Sequence, residues 1–295
     1  MTIRRILPIL AALLTAGTLL AQNEQPIDPA PPKGISTDEI IRKFVDKETQ
    51  FARARENYTY RQSVKVQTLD GDTPDGEFQS IQDIDFDPQG RRIEHVVFAP
   101  QSTIQRVQMT KEDFDTIRNI MPFVMTNQTA QDYQVNYVGQ QKVDELDCYV
   151  FDIAPRHMER NKIYFQGRAW VDNRDLQIVM TSGKTLYDDS NKKPSERQQF
   201  PKFTTWREQI DGVYWFPTYS RADETLHFPG DRNQMANDVH IREIVKYSNY
   251  KRFGSNVKIT YEGHEIDKGT QQPANGQQQP QQPGQQPPPT QRPPQ

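Results

Sequence analysis

Asp83, Asp85, Asp87 and Glu94 carry the spacing of positions 1, 3, 5 and 12 of a calcium-binding loop between helices. Such a loop needs glycine at position 6 for its sharp turn. This chain has Pro88 there and strand-type flanks, so the four acids read as a solvated strand face leading into a turn. The five histidines, His95, His157, His227, His240 and His264, show no HxH, HxxxH or CxxC partnership, so no metal site is expected. Cys148 is the only cysteine. It rules out a disulfide within the chain, and its neighbours Tyr149 and Val150 describe a packed thiol rather than a nucleophile. Asp152 and Asp172, each at or near a strand end, read as strand-edge or turn residues rather than an acid/base pair. GxSxG, Walker and dinucleotide motifs do not occur in the sequence. The expectation is a protein that is not an enzyme and takes no cofactor.

The elements that would hold these residues are mostly strands. Between Asp132 and Thr181, three alternating runs follow one another: Cys148 to Ala154, Ile163 to Asp172, and Leu176 to Met180. Tyr149, Phe151 and Ile153 share one face. Ile163, Phe165, Ala169 and Val171 share one phase, as do Leu176, Ile178 and Met180. Upstream, Tyr58, Tyr60, Val64 and Val66 alternate with polar residues, and Phe78 to Phe86 and Arg91 to Phe98 flank the turn Asp87-Pro88-Gln89-Gly90. Downstream, Phe203 to Ile210 and Val213 to Phe216 form a predicted hairpin about Asp211-Gly212, and Val239 to Tyr247 is a further strand.

Two helices are predicted. Ser36 starts the first with Glu39 three residues on, the signature of a capping box. Ile40, Ile41, Phe44, Val45, Phe51 and Ala52 make its apolar stripe, with Arg42, Lys43, Lys47 and Glu48 on the other side. Thr110 caps a second, shorter helix bearing Phe114, Ile117, Ile120 and Met121, stopped by Pro122.

The ends have a different character. Arg4 and Arg5 precede an apolar run to Leu20, the layout of a secretory leader over residues 1–21, and that run is short of the ~20 residues a bilayer span needs. Prolines 26, 29, 31 and 32 make residues 22–35 an extended linker, and a folded domain is expected over 36–268. In residues 269–295, 19 of 27 are Gln or Pro, which leaves too little apolar surface to order that tail. The formal net charge of −3 comes without a basic stripe, which argues against nucleic acid as a partner. With the leader removed no stable transmembrane span is expected, and the protein should be periplasmic, with the outer membrane as a second expected association.

An open sheet of ten or eleven strands at ~4.8 Å spacing would be ~50 Å wide, whereas a helix covers ~10 Å. Two helices cannot cover it flat, so the sheet must curl around them. The predicted fold is therefore α+β, mainly β: a curved antiparallel sheet forming an incomplete barrel, with the long amino-terminal amphipathic helix and a second short helix covering its concave face.

The run Tyr137-Val138-Gly139 through Val143 to Phe151, then Gly167-Arg168-Ala169-Trp170-Val171-Asp172, then Ile210-Asp211-Gly212-Val213-Tyr214-Trp215-Phe216-Pro217-Thr218, resembles the outer-membrane lipoprotein-sorting carriers of the LolA/LolB type. His240-Ile241-Arg242 to Phe253 resembles the closing strand of that superfamily. The likeness spans about residues 36 to 265. It implies a half-barrel that shelters a lipid or a lipoprotein acyl chain in a concave, aromatic-lined interior. Expected lining residues are Tyr60, Val64, Val66, Phe151, Phe165, Ala169, Ile178 and Met180. The alternative expectation is an envelope structural or protein-interaction module on the same fold, with an envelope protein as partner and no ligand.

Overall fold

The structure is a computed structural model that describes residues 26–230, 235–252, 259–261 and 264–266. The expected leader and the Gln/Pro-rich tail lie outside the described residues. The chain divides into two units, Met1–Phe253 and Gly254–Gln295. In the second, Ile259–Tyr261 (β11) and His264–Ile266 (β12) pair as a small antiparallel hairpin.

The first unit opens with helix α1, Thr37–Arg55. Ser36 Oγ accepts from Glu39 N at 3.2 Å, as its spacing predicts. The reciprocal arm of the box is not made, because Glu39 turns outward to Lys43 at 2.8 Å. Ile40, Phe44, Val45 and Phe51 are buried as the helical period requires. Glu48, expected on the polar side, is buried with them.

Ten strands follow: β1 (Tyr58–Asp70), β2 (Thr73–Phe86), β3 (Arg92–Phe98), β4 (Tyr133–Val143), β5 (Leu146–Pro155), β6 (Ile163–Asp172), β7 (Ile178–Tyr187), β8 (Phe203–Gln209), β9 (Trp215–Phe228) and β10 (Asn237–Arg252). They form one antiparallel sheet in the order β3-β2-β1-β10-β9-β8-β7-β6-β5-β4. The outermost strands, β3 and β4, do not pair with each other, so the sheet is unclosed.

Its curvature is legible in its packing. Phe44 lies 5.3 Å from Phe151 on β5, and the same interior cluster takes in Val64 on β1 and Ile84 on β2. On a flat sheet β2 and β5, seven places apart, would stand ~34 Å from one another, beyond the reach of a helix ~10 Å across. The sheet therefore wraps its helices, as the element count demands.

The residues between β3 and β4, 99–132, cross the concave side. Thr110 caps α2, Lys111–Asp115, in a complete capping box, and the helix continues as a π-helical turn over Thr116–Ile120. Ile117, Ile120 and Met121 are buried beneath it, and Phe123 stacks on Phe165 of β6 with centroids 4.4 Å apart.

Three local features depart from the sequence pattern. A β-bulge at the β6/β7 pairing matches Trp170 to Met180 but Val171 to Ile178. The extra residue, Val179, breaks the period of two, so Ile178 stays inside while Met180 turns to the outer face with Trp170. The turn after β8 is longer than a two-residue hairpin: Asp211 Oδ1 accepts from both Val213 N and Tyr214 N at 3.0 Å, which holds 210–214 out of the ladder and delays β9 to Trp215. The proline-rich segment is seated, since Asp28 and Gln140 of edge strand β4 exchange backbone hydrogen bonds of 2.8 and 2.7 Å. A partner there covers an otherwise open sheet edge.

Candidate functional site

The interior under α1 is filled. Phe44 against Phe151, Phe51 against Phe216 at 5.1 Å and Tyr60 stacked on Tyr250 at 5.1 Å leave the long helix lying on packed side chains. A recess lies instead under α2. It has a volume of about 80 Å3, and its apolar wall includes Val66 of β1, Val107, Met109, Phe200, Phe228 of β9 and Ile241 of β10.

Two polar side chains on that wall stand out. Glu243, on β10, is buried and its carboxyl makes no hydrogen bond among the described residues. Burial, with the nearby Asp113 carboxyl adding to it, pushes its pKa up to about 8. Asp113 itself is raised by burial, against which its bonds from Thr110 N at 2.7 Å and Thr110 Oγ1 at 2.8 Å pull. Thr116, also on the wall, has a buried hydroxyl without a partner.

The outer face carries a second feature. An open groove of about 1390 Å3 runs over β4 to β9. Its floor includes a cross-strand row in which Trp170 is paired with Met180 and Met180 with Trp206. Beside it lies a polar row, with Arg168 on Asp152 at 2.8 Å and Thr204 Oγ1 on Ser182 Oγ at 3.0 Å. Gln199 and Phe200 line both this groove and the interior recess.

The eight residues expected to line a cavity are all buried. Tyr60, Val64, Val66, Phe151, Phe165, Ala169 and Ile178 belong to the interior cluster. Of these, Val66 lines the recess and the other six pack against one another and the helices. Met180 lies on the opposite face because of the bulge at Val179. Glu243 was missed, although a signal for it exists: Val239, Ile241, Val245 and Tyr247 alternate, and the same phase puts a charged residue among them.

The remaining reactive side chains are committed elsewhere. Asp83 is bound by Arg61 at 2.8 Å, Asp85 faces His95 at 3.2 Å, Asp87 accepts from Gln89 N and Arg91 N at 2.9 Å, and Glu94 is held by Arg92 and Arg118 at 2.9 and 2.7 Å. That is the strand face and turn which Pro88 implied. Asp172 accepts from Arg174 N and Asp175 N, a turn role. Among the described residues no group of three or more His, Cys, Asp or Glu is placed to hold a metal ion, and no helix is long and apolar enough to cross a membrane.

Fold and recess together describe a mainly β protein whose unclosed antiparallel sheet wraps two helices and leaves a small apolar hollow at one end of the concave side. No family model matches the chain, and no curated protein does. Among solved structures it is similar to a DUF1329 family protein from Desulfovibrio piger, at 13% identity over 74% of this chain and 95% of that one, with a TM-score of 0.34. It is similar to a LolA superfamily protein from Nitrosomonas europaea at 14% identity over 72% and 97%, with a TM-score of 0.30. A third is a putative outer membrane lipoprotein-sorting protein domain from Vibrio parahaemolyticus, at 10% identity over 74% and 94%, with a TM-score of 0.33.

Proposed function

We propose that this protein is a non-catalytic binding protein of the periplasm that takes the apolar part of a lipid or lipoprotein acyl chain between its curved sheet and the cover formed by α2 and residues 197–201. In this reading residues 1–21 are a cleaved leader, 22–35 a linker and 269–295 a disordered spacer. The observation that carries it is the recess itself, an unfilled and mainly apolar hollow on an otherwise packed concave face. At about 80 Å3 it is smaller than the ~150 Å3 that holds a benzene ring in a dry protein core. A chain of lipid length therefore enters only as α2 and the 197–201 segment move outward.

The test is direct. Native mass spectrometry of the full chain should find co-purified lipid, and an apolar fluorophore should bind and be displaced by octanol. Val66→Trp, which fills the recess from β1, should abolish both signals while leaving the far-ultraviolet circular dichroism unchanged. Absence of retained lipid and of fluorophore binding in the unmodified protein defeats the proposal.

The outer groove favours a second reading, an envelope protein-interaction module. Its row of Trp170, Met180 and Trp206 beside hydrogen-bonding side chains has the aromatic and polar mixture of protein contact surfaces. Trp206→Ala should weaken capture of an envelope partner under that reading and leave lipid retention intact.

A further inference from the structure

Glu243 has no counter-charge among the described residues. It is 7% exposed, makes no hydrogen bond among the described residues, and lies on the wall of the recess under α2. A buried carboxyl without donors is costly in its charged form, and burial holds it protonated unless something supplies donors to it. Thr116, 5% exposed and on the same wall, adds a buried hydroxyl that lacks a partner.

We infer that the recess receives a primary ammonium group carried on an apolar chain, with the Glu243 carboxylate as its counter-ion and the Thr116 hydroxyl as a second acceptor. The inference rests on the reading of the recess as a ligand site and names the head that the site selects.

The wall explains the choice of charge. Its charged residues are Glu243, Asp113 and Arg197. Asp113 is occupied by the Thr110 backbone and hydroxyl, and it adds negative potential. Arg197, the one cation, is exposed and directs its guanidinium to Lys192 O at 3.3 Å and Ser190 O at 3.2 Å. A carboxylate or phosphate head would meet two carboxyls in an apolar setting. An ammonium brings three N–H donors and no acceptor, and both the ionised Glu243 carboxylate and the Thr116 hydroxyl oxygen can accept from it. Val66, Met109, Phe228 and Ile241 then accept the first methylenes. Phe200 and Gln199 wall both the recess and the outer groove, and the rest of the chain is assigned a path past them.

Protonation follows from the geometry. With its pKa near 8 before binding, Glu243 must give up its proton as the ammonium arrives, so amine binding releases a proton and tightens as pH rises from about 6 to 8. Asp113 on α2 and Arg197 on the neighbouring segment are the other ionisable groups of that wall. Neither exchanges a hydrogen bond with Glu243.

The experiment uses the full chain and three probes of one length: octylamine, octanol and octanoate, each displacing an apolar fluorophore. Octylamine should act at about tenfold lower concentration than octanol at pH 8, the scale of one charge-assisted hydrogen bond. Octanoate should be the weakest. Glu243→Gln, which keeps the shape and removes the charge, should bring octylamine back to the octanol value without loss of fluorophore binding. Equal displacement by amine and alcohol in the unmodified protein, or an amine advantage that survives Glu243→Gln, overturns the head-group inference while the recess remains a ligand site. Failure of the fluorophore to bind at all removes the recess as a site, and the inference with it.

Discussion

Arg207 on β8 holds Glu48 on α1 in an ion pair sealed from solvent: Nη1 lies 2.9 Å from Oε1, with the two side chains 2% and 0% exposed. The guanidinium also donates to the Phe123 and Ile178 carbonyls, and Ile178 N donates to Glu48 Oε1 at 3.4 Å. One contact thus ties α1, β7, β8 and the segment leading to β4. Burial drives the Glu48 carboxyl above the ordinary carboxylate value, and the arginine beside it pulls the other way. Glu48→Leu should destabilise the protein by ~3–5 kcal/mol, because it strands a buried guanidinium. In urea unfolding, Glu48→Leu with Arg207→Met should lose much less than the two single losses added together.

Gly167 and Gly183 face each other across β6 and β7 beneath the Phe165 ring. A Cβ on Gly183 would meet Gln166 O at 2.3 Å and the Phe165 ring at 2.7 Å. Gly183→Val should therefore lower stability by at least ~1–3 kcal/mol through overpacking. Lys184→Val, one residue on and exposed, should stay within ~0.5 kcal/mol. Thermal unfolding of the two variants side by side gives the comparison.

Cys148 is 1% exposed, and burial, helped by Asp172 and Asp147, pushes its thiol up to about 12. The thiolate is the reactive form, so iodoacetamide at about pH 8 should leave the native protein unmodified. Full alkylation should appear only in denaturant, which intact-mass measurement reads directly.

Glu243 also sets a pH slope on stability. Its folded pKa of about 8 lies above the ~4.3 of an unfolded glutamate, so the native state binds more protons between those values. Its contribution is fully present below about pH 4 and is lost as pH rises toward 8. Glu243→Gln should therefore gain ~1–3 kcal/mol over the unmodified chain at pH 8 and little at pH 4, as measured by denaturant midpoints without ligand. A gain that is the same at both pH values would show that the carboxyl is not held neutral.

Much of the framework was legible in the chain. Alternation at Tyr58 to Val66 and at Cys148 to Ala154 names the inward faces correctly, and Ser36 and Thr110 mark the starts of both helices. Local pattern fails where a residue's partner is remote. Glu48 looks like a surface residue until Arg207, 159 positions on, is brought to it. The predicted strand ends at Phe216, yet β9 runs on through Arg221, Asp223 and Glu224 to Phe228 because β8 and β10 supply ladder partners on both sides.

By itself the sequence determined that a mostly antiparallel sheet too wide for two helices had to bend, since strand spacing and helix diameter are fixed by backbone geometry. Only the tertiary structure decided where the hollow would fall. Aromatic side chains fill the space below α1, the bulge at Val179 sends Met180 outward, and the space left over lies under α2 with Glu243 on its wall. Packing sums the volumes of side chains far apart in sequence, and no local period encodes that sum.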